Sequence, residues 1–125
     1  MNLDELKRAV VDARKIQASC NGASFDLLLP TDYLWRSTLE RHRDERGDLL
    51  EAEAFREILG RSLVGWQGVK CSDVLGGSSE DLLPYSPEAR ELLLDARMDV
   101  ADVLTIAIGN ELKARRQKRG EALKN

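Results

Sequence analysis

Apolar side chains recur at intervals of three and four residues over most of this chain, and that spacing constrains its fold more than any single motif. Leu3, Leu6, Val10, Ala13 and Ile16 make the first such stripe. Asn2 precedes it as an N-cap, with Glu5 three residues on as the reciprocal partner of a capping box. The spacing predicts a helix from Asn2 to about Ser19, ended by Asn21-Gly22, a pair that tolerates the left-handed backbone of a helix terminus. Thr31 caps a second predicted helix running to about Arg46, with Trp35, Thr38, Leu39 and His42 on one face, and Gly47 breaks it. Asp48 caps a third, carrying Leu49, Ala52, Phe55, Ile58, Leu59 and Leu63. So short a connection favours antiparallel neighbours.

Ser86-Pro87-Glu88 is the clearest helix start in the chain. Serine caps, proline occupies the first helical position where its missing N–H costs nothing, and the carboxylate meets the positive end of the dipole. That helix carries Ala89, Leu92, Leu93 and Ala96; a break near Met98-Asp99 precedes a last one with Val100, Val103, Leu104, Ala107, Ile108 and Leu112 inward.

Two stretches escape the helical period. Ser24-Phe25-Asp26-Leu27-Leu28-Leu29 stops at Pro30, which pushes the residue before it towards an extended backbone. A strand there lacks an evident partner. From Val64 to Tyr85 glycines and serines punctuate the chain, yet Trp66, Val69 and Tyr85 lie among them. Aromatic residues are only 5% of the 125, so Leu, Val, Ile and Ala must fill the core, which suits helices better than a β-sandwich. The fold expected is mainly α: a single domain of four to five packed helices over residues 1–112, with one short extended segment near 24–29 allowed. Residues 113–125 are expected to form a basic C-terminal tail, a helix end that is partly disordered.

The net charge of −3 conceals an asymmetry: 13 Lys/Arg against 21 Asp/Glu up to Leu112, and six against one from Lys113 onward. The basic cluster Lys113, Arg115, Arg116, Lys118 and Arg119 suits the negative pole of a helix C-terminus. It admits three readings: a solvated helix end, an electrostatic contact with an acidic protein partner, or a phosphate-binding patch. The acidic body and the lack of aromatic residues in the tail argue against nucleic acid. No apolar run is long enough to span a bilayer and the acidic start is unlike a secretory signal, so no membrane is expected and the chain should remain where it is made.

Catalytic parts are scarce. His42 is the only histidine, flanked by Arg41 and Arg43, and reads as a half-exposed interfacial side chain. Cys20 and Cys71 lack paired spacing and nucleophile motifs, so free thiols are expected rather than a disulfide, and two Cys with one His barely supply a zinc site. Glu51, Glu53 and Glu57 read as a solvated face, and Gly76-Gly77-Ser78-Ser79 lacks the lysine of a phosphate loop. The chain is expected not to be an enzyme and to need no cofactor or metal.

Leu63-Val64-Gly65-Trp66-Gln67-Gly68-Val69, followed by a Gly/Ser-containing turn and then Leu83-Pro84-Tyr85-Ser86-Pro87-Glu88 opening a helix, resembles the tail assembly chaperones of long-tailed bacteriophages. Phe25 to Thr31 is similar to that family's extended segment, which ends in a proline before its first long helix. The resemblance covers roughly residues 24–112 and is densest over 63–94. The helix before Asn21 has no counterpart in the family pattern, and the turn between Val69 and Pro84 is long. The resemblance implies a non-enzymatic protein of the host cytoplasm that binds the tape-measure protein and tail-tube subunits during virion morphogenesis. Many copies along one long partner, and with them self-association, are also implied. Trp66, Val69, Pro84 and Tyr85 are then the candidate partner-binding residues; the other reading of Trp66 is a core plug between helices. The alternative functions are a small structural or connector protein of the tail or head–tail junction, and a nucleic-acid-binding regulator.

Overall fold

Asn21 and Gly22 both take positive φ, 51° and 78°, and reverse the chain in two residues. The computed structural model describes residues 1–124, and this turn is where it first departs from the mainly helical expectation. Helix α1 (Leu3–Ala13) stops well short of Ser19, and strand β1 (Lys15–Cys20) pairs antiparallel with β2 (Ala23–Leu28) from Lys15↔Leu28 to Cys20↔Ala23. Asn-Gly is the pair a tight hairpin favours, because a turn with two positive φ values matches the twist of the strands it joins. Ile16 fits the helical stripe, but Ile16, Ala18 and Cys20 also alternate, and the alternation wins.

Helix α2 (Asp32–Arg41) is capped by the Thr31 hydroxyl, which accepts from the Leu34 amide at 3.1 Å. It ends before Arg46, and a tight loop leads to α3 (Glu51–Ser62). Strand β3 (Leu63–Gln67) follows without a linker and lies along the free edge of β2, pairing Phe25↔Trp66 and Asp26↔Gly65. The register shifts between Asp26 and Leu27, where Leu63 becomes the partner of Leu27 and Val64 is left out of the pairing. The strand order is β1-β2-β3. The segment at 24–29 thus has two partners.

A single-turn helix α4 (Ser72–Leu75) interrupts the irregular region. Helix α5 (Pro87–Ala96) starts at Ser86, whose hydroxyl accepts from the Ala89 amide at 3.0 Å, and α6 (Met98–Lys124) follows after Arg97. Among the described residues there are therefore six helices and a three-stranded antiparallel sheet, which corrects the mainly α fold of four to five helices to a mixed helix-and-sheet fold. The basic segment continues α6 without a break over residues 113–124, and Asn125 lies outside the described residues.

The sheet has one dry face. Ala23, Phe25, Leu27 and Leu29 point into a single core with Ile58 and Leu59 of α3, Leu63 and Trp66 of β3, Leu93 and Leu94 of α5, and Leu104, Ile108 and Leu112 of α6. On the opposite face Lys15, Gln17, Ser19 and Gln67 are exposed, and the Gln17 amide donates to Asp26 Oδ1 at 2.8 Å. Among the described residues no helix is long and apolar enough to cross a membrane.

Candidate partner-binding surface

Trp66 sits on the core face of β3 and is only 7% exposed. Its ring meets Phe25 and Tyr85 edge-on, with centroids 6.2 and 5.0 Å away, and its indole N–H donates to the Leu83 carbonyl at 2.8 Å. The Tyr85 hydroxyl donates to the Leu63 carbonyl at 2.8 Å and accepts from Arg90 at 3.3 Å. Val69 is buried, and its carbonyl accepts from the Leu83 amide at 2.8 Å. Pro84 is exposed. The four residues singled out in the sequence do come together, as a latch that joins β3 to the segment entering α5. Their arrangement closes the long excursion between Val69 and Leu83 and gives an outside partner little beyond Pro84 and the edge of Tyr85.

The basic residues occupy the far end of α6. Arg115 is held by Glu111 at 2.9 Å and donates to the carbonyl of Ala13, the last residue of α1. Arg119 reaches Asp32 at 3.1 Å, with Arg116 at 4.0 Å from the same carboxylate. Lys113 and Lys118 are exposed and form no ion pair among the described residues. Arg14, far from this cluster in sequence and without a motif of its own, joins them. Its Nε donates to the Leu29 carbonyl at 2.7 Å, and with Arg115, Lys118 and Arg119 it lines a shallow groove over Leu29, Pro30 and Leu112. Of the four cations lining the groove, Arg119 pairs with Asp32 and Arg115 with Glu111.

The largest surprise is α1. None of its residues is buried, and Leu3, Leu6, Val10 and Val11 are 65, 49, 48 and 41% exposed. Asn2 caps it, accepting from the Glu5 amide at 2.8 Å, so the helix is well made yet lies outside the core. Its C-terminal end is tied down: Leu29 and Arg14 exchange backbone and side-chain hydrogen bonds, and Arg115 holds the Ala13 carbonyl. Val11 borders a groove that crosses the three strands over Ile16, Leu28 and Val64, with Lys15, Gln17 and Asp26 also in its lining. The signal for this surface was the stripe itself, which the sequence reading spent on the core.

The polar groups elsewhere act as clamps. Arg41 of α2 grips Glu57 of α3 through two hydrogen bonds of 2.9 and 2.8 Å, and His42 lies 3.5 Å from the same carboxylate. The Arg41 hydrogen bond holds the Glu57 carboxyl down to about 2, so it stays ionised. Arg56 bridges α3 to Glu91 and Asp95 of α5, and Arg97 reaches both Asp73 and Asp99. Cys20 and Cys71 are half-buried free thiols. Among the described residues no three His, Cys, Asp or Glu side chains gather closely enough to hold a metal ion.

Comparison with protein-family models, curated proteins and solved structures finds no match to this chain.

Proposed function

We propose that this protein is a tail assembly chaperone of a long-tailed bacteriophage, working without catalysis in the host cytoplasm by binding the tape-measure protein and tail-tube subunits. The observation that carries a partner-binding role is α1, a capped amphipathic helix that shows its apolar stripe to solvent; it lies outside the residues of the family resemblance, and that resemblance by itself carries the phage assignment. An apolar stripe at helical spacing can lie along the apolar face of a partner helix, the mode by which many proteins hold amphipathic segments. A tape-measure protein offers long helices of that kind, and the order of the Trp66 and Pro84-Tyr85-Ser86-Pro87-Glu88 motifs supplies the family resemblance. Trp66 and Val69 serve the fold in this reading, and α1 replaces them as the contact.

Co-expression with the tape-measure protein of the same phage tests it. The wild-type chain should keep that partner soluble and co-purify with it. Leu6→Glu combined with Val10→Glu should abolish co-purification while leaving the melting temperature of the chaperone unchanged, because neither side chain belongs to the core. Co-purification that survives the double substitution removes α1 from the contact. Failure of the wild-type chain to bind tape-measure or tube protein ends the chaperone reading.

A further inference from the structure

Basic side chains from distant parts of the sequence meet two aromatic rings along the far half of α6. That helix runs five residues beyond Arg119, to Lys124. A helix dipole attracts cations only within its last turn, so it does not account for the cluster from Lys113 to Arg119. The tail holds no aromatic residue of its own, yet the fold sets two beside it. Tyr33 and Trp35 of α2 line a cleft of about 550 Å³ together with Arg36, Arg43 and Arg116. Asp32 lines this cleft and also the groove of Arg14, Arg115, Lys118 and Arg119, so the two meet at that residue. We propose that this joined surface binds single-stranded nucleic acid, with its cations on the phosphates and Tyr33 stacked on a base.

The surface attracts anions although the chain as a whole carries a net charge of −3. Seven cations and two carboxylates, those of Asp32 and Glu40, line the cleft and the groove. Both carboxylates are engaged: Arg119 lies 3.1 Å from Asp32, and Arg43 lies 3.5 Å from Glu40. Arg115 is held by Glu111. Arg14, Arg36 and Lys118 form no ion pair among the described residues, and Arg14 uses its Nε on the Leu29 carbonyl. These three keep N–H groups for phosphate oxygens.

An acidic peptide would use the cations equally well, and the rings are what single out a nucleic-acid strand. Tyr33 is 78% exposed, so it adds little to the core. It stands three residues before Arg36, on the same face of α2. Trp35 is half-buried against Phe55, with ring centroids 5.9 Å apart, and forms the wall of the cleft. The face of an aromatic ring is electron-rich and gives a carboxylate nothing. Every nucleobase, in contrast, has a π-face to stack on it, which makes such binding tolerant of sequence. A duplex offers the same phosphates but keeps its base faces stacked on one another. This function is separate from the contact of α1 and does not rest on the chaperone reading.

Fluorescence anisotropy with end-labelled single strands of about 12 nucleotides, one of deoxythymidine and one of uridine, reads the outcome. The wild-type chain should bind them with a Kd on the order of 1–100 μM at about 50 mM salt. Three neutralised phosphates give a slope of about −2 in log K against log salt, so about 200 mM salt should weaken binding roughly twentyfold. Arg36→Ala with Lys118→Ala should weaken binding and bring the slope to about −1. Tyr33→Ala should weaken it by about fivefold or more and leave the slope unchanged. All three side chains are exposed, so both variants should melt as the wild type does. A duplex of the same length and a polyglutamate of the same charge should bind more weakly, with no response to Tyr33→Ala. Binding of either strand on these terms supports the proposal, and the tighter of the two names the sugar. No binding by either strand, a duplex bound as tightly, or strand binding that survives the Arg36/Lys118 or the Tyr33 substitution would each overturn it. Polyglutamate bound as tightly as the strands would overturn it too, and would assign the surface to an acidic protein.

Discussion

At the scale of single residues, Trp66 shows how one side chain can be legible in kind and illegible in role. An indole among glycines was bound to do something, and two readings stood: a plug in the core or a seat for a partner. The choice depended on β3, since only in a strand paired Phe25↔Trp66 does the ring face inward. Both of its aromatic neighbours come from other segments, Phe25 from the hairpin and Tyr85 from the approach to α5. Trp66→Phe should keep most of the packing but leave the half-buried Leu83 carbonyl without its donor and a gap beside the smaller ring. The expected loss is about 1.5–3 kcal/mol in urea unfolding. Tyr85→Phe removes only the hydroxyl that links Leu63 to Arg90, and should cost about 1 kcal/mol. A loss at Trp66 no larger than that at Tyr85 would show that the latch does not depend on the indole.

Among the elements, the helices were the readable part and the strands were not. Ser86-Pro87-Glu88 specifies its helix through local chemistry, and the Ser86 cap is made as the residues dictate. Residues 24–29 could be read as extended because Pro30 stops them. Their neighbours could not: β1 hid behind Ile16, which satisfied the helical period, and β3 hid among glycines. Asn21-Gly22 fits a helix terminus and is also the strongest short hairpin signal; both structures need positive φ, so the pair alone does not choose between them. The turn gives a direct test. At Gly22 a methyl group would meet nothing within 4 Å, so Gly22→Ala carries only the strain of its φ of 78° and should cost about 1 kcal/mol. Gly68 has a φ of 84° and a methyl there would stand 3.2 Å from the Gly22 carbonyl, so Gly68→Ala should cost more. Equal losses in thermal unfolding would indicate that the strand end moves aside.

For the whole molecule, the charge asymmetry was plain in the sequence, but its placement was not. Nothing in residues 113–119 says that they fold back to the end of α1 and to Asp32, a contact spanning 87 residues between Arg119 and Asp32. The helices are held to one another by similar long-range pairs, and these make stability depend on acid. Glu57 has its folded value lowered from 4.5 to about 2 by the Arg41 hydrogen bond. Its contribution is therefore complete above the unfolded value and is lost as pH falls through the folded one. Wild-type stability should decline between about pH 4.5 and pH 2, and Glu57→Gln should be less stable at neutral pH with the difference shrinking across that window. Thermal melts at half-unit pH steps read this directly; a constant difference would place the stabilising role of Glu57 elsewhere than in its charge.

The insertion of α2 and α3 between β2 and β3 has a consequence for the newborn chain. The hairpin can close as soon as Leu28 emerges, but the third strand lies 34 residues further on, beyond residues 29–62. At ~5–20 residues per second that is a wait of about 2–7 s. Until α3 is complete at Ser62, Phe25 and Leu27 stand on a strand with one edge open and without that helix over them. The ribosome-bound intermediate is thus the stage at which this chain is itself most in need of a chaperone.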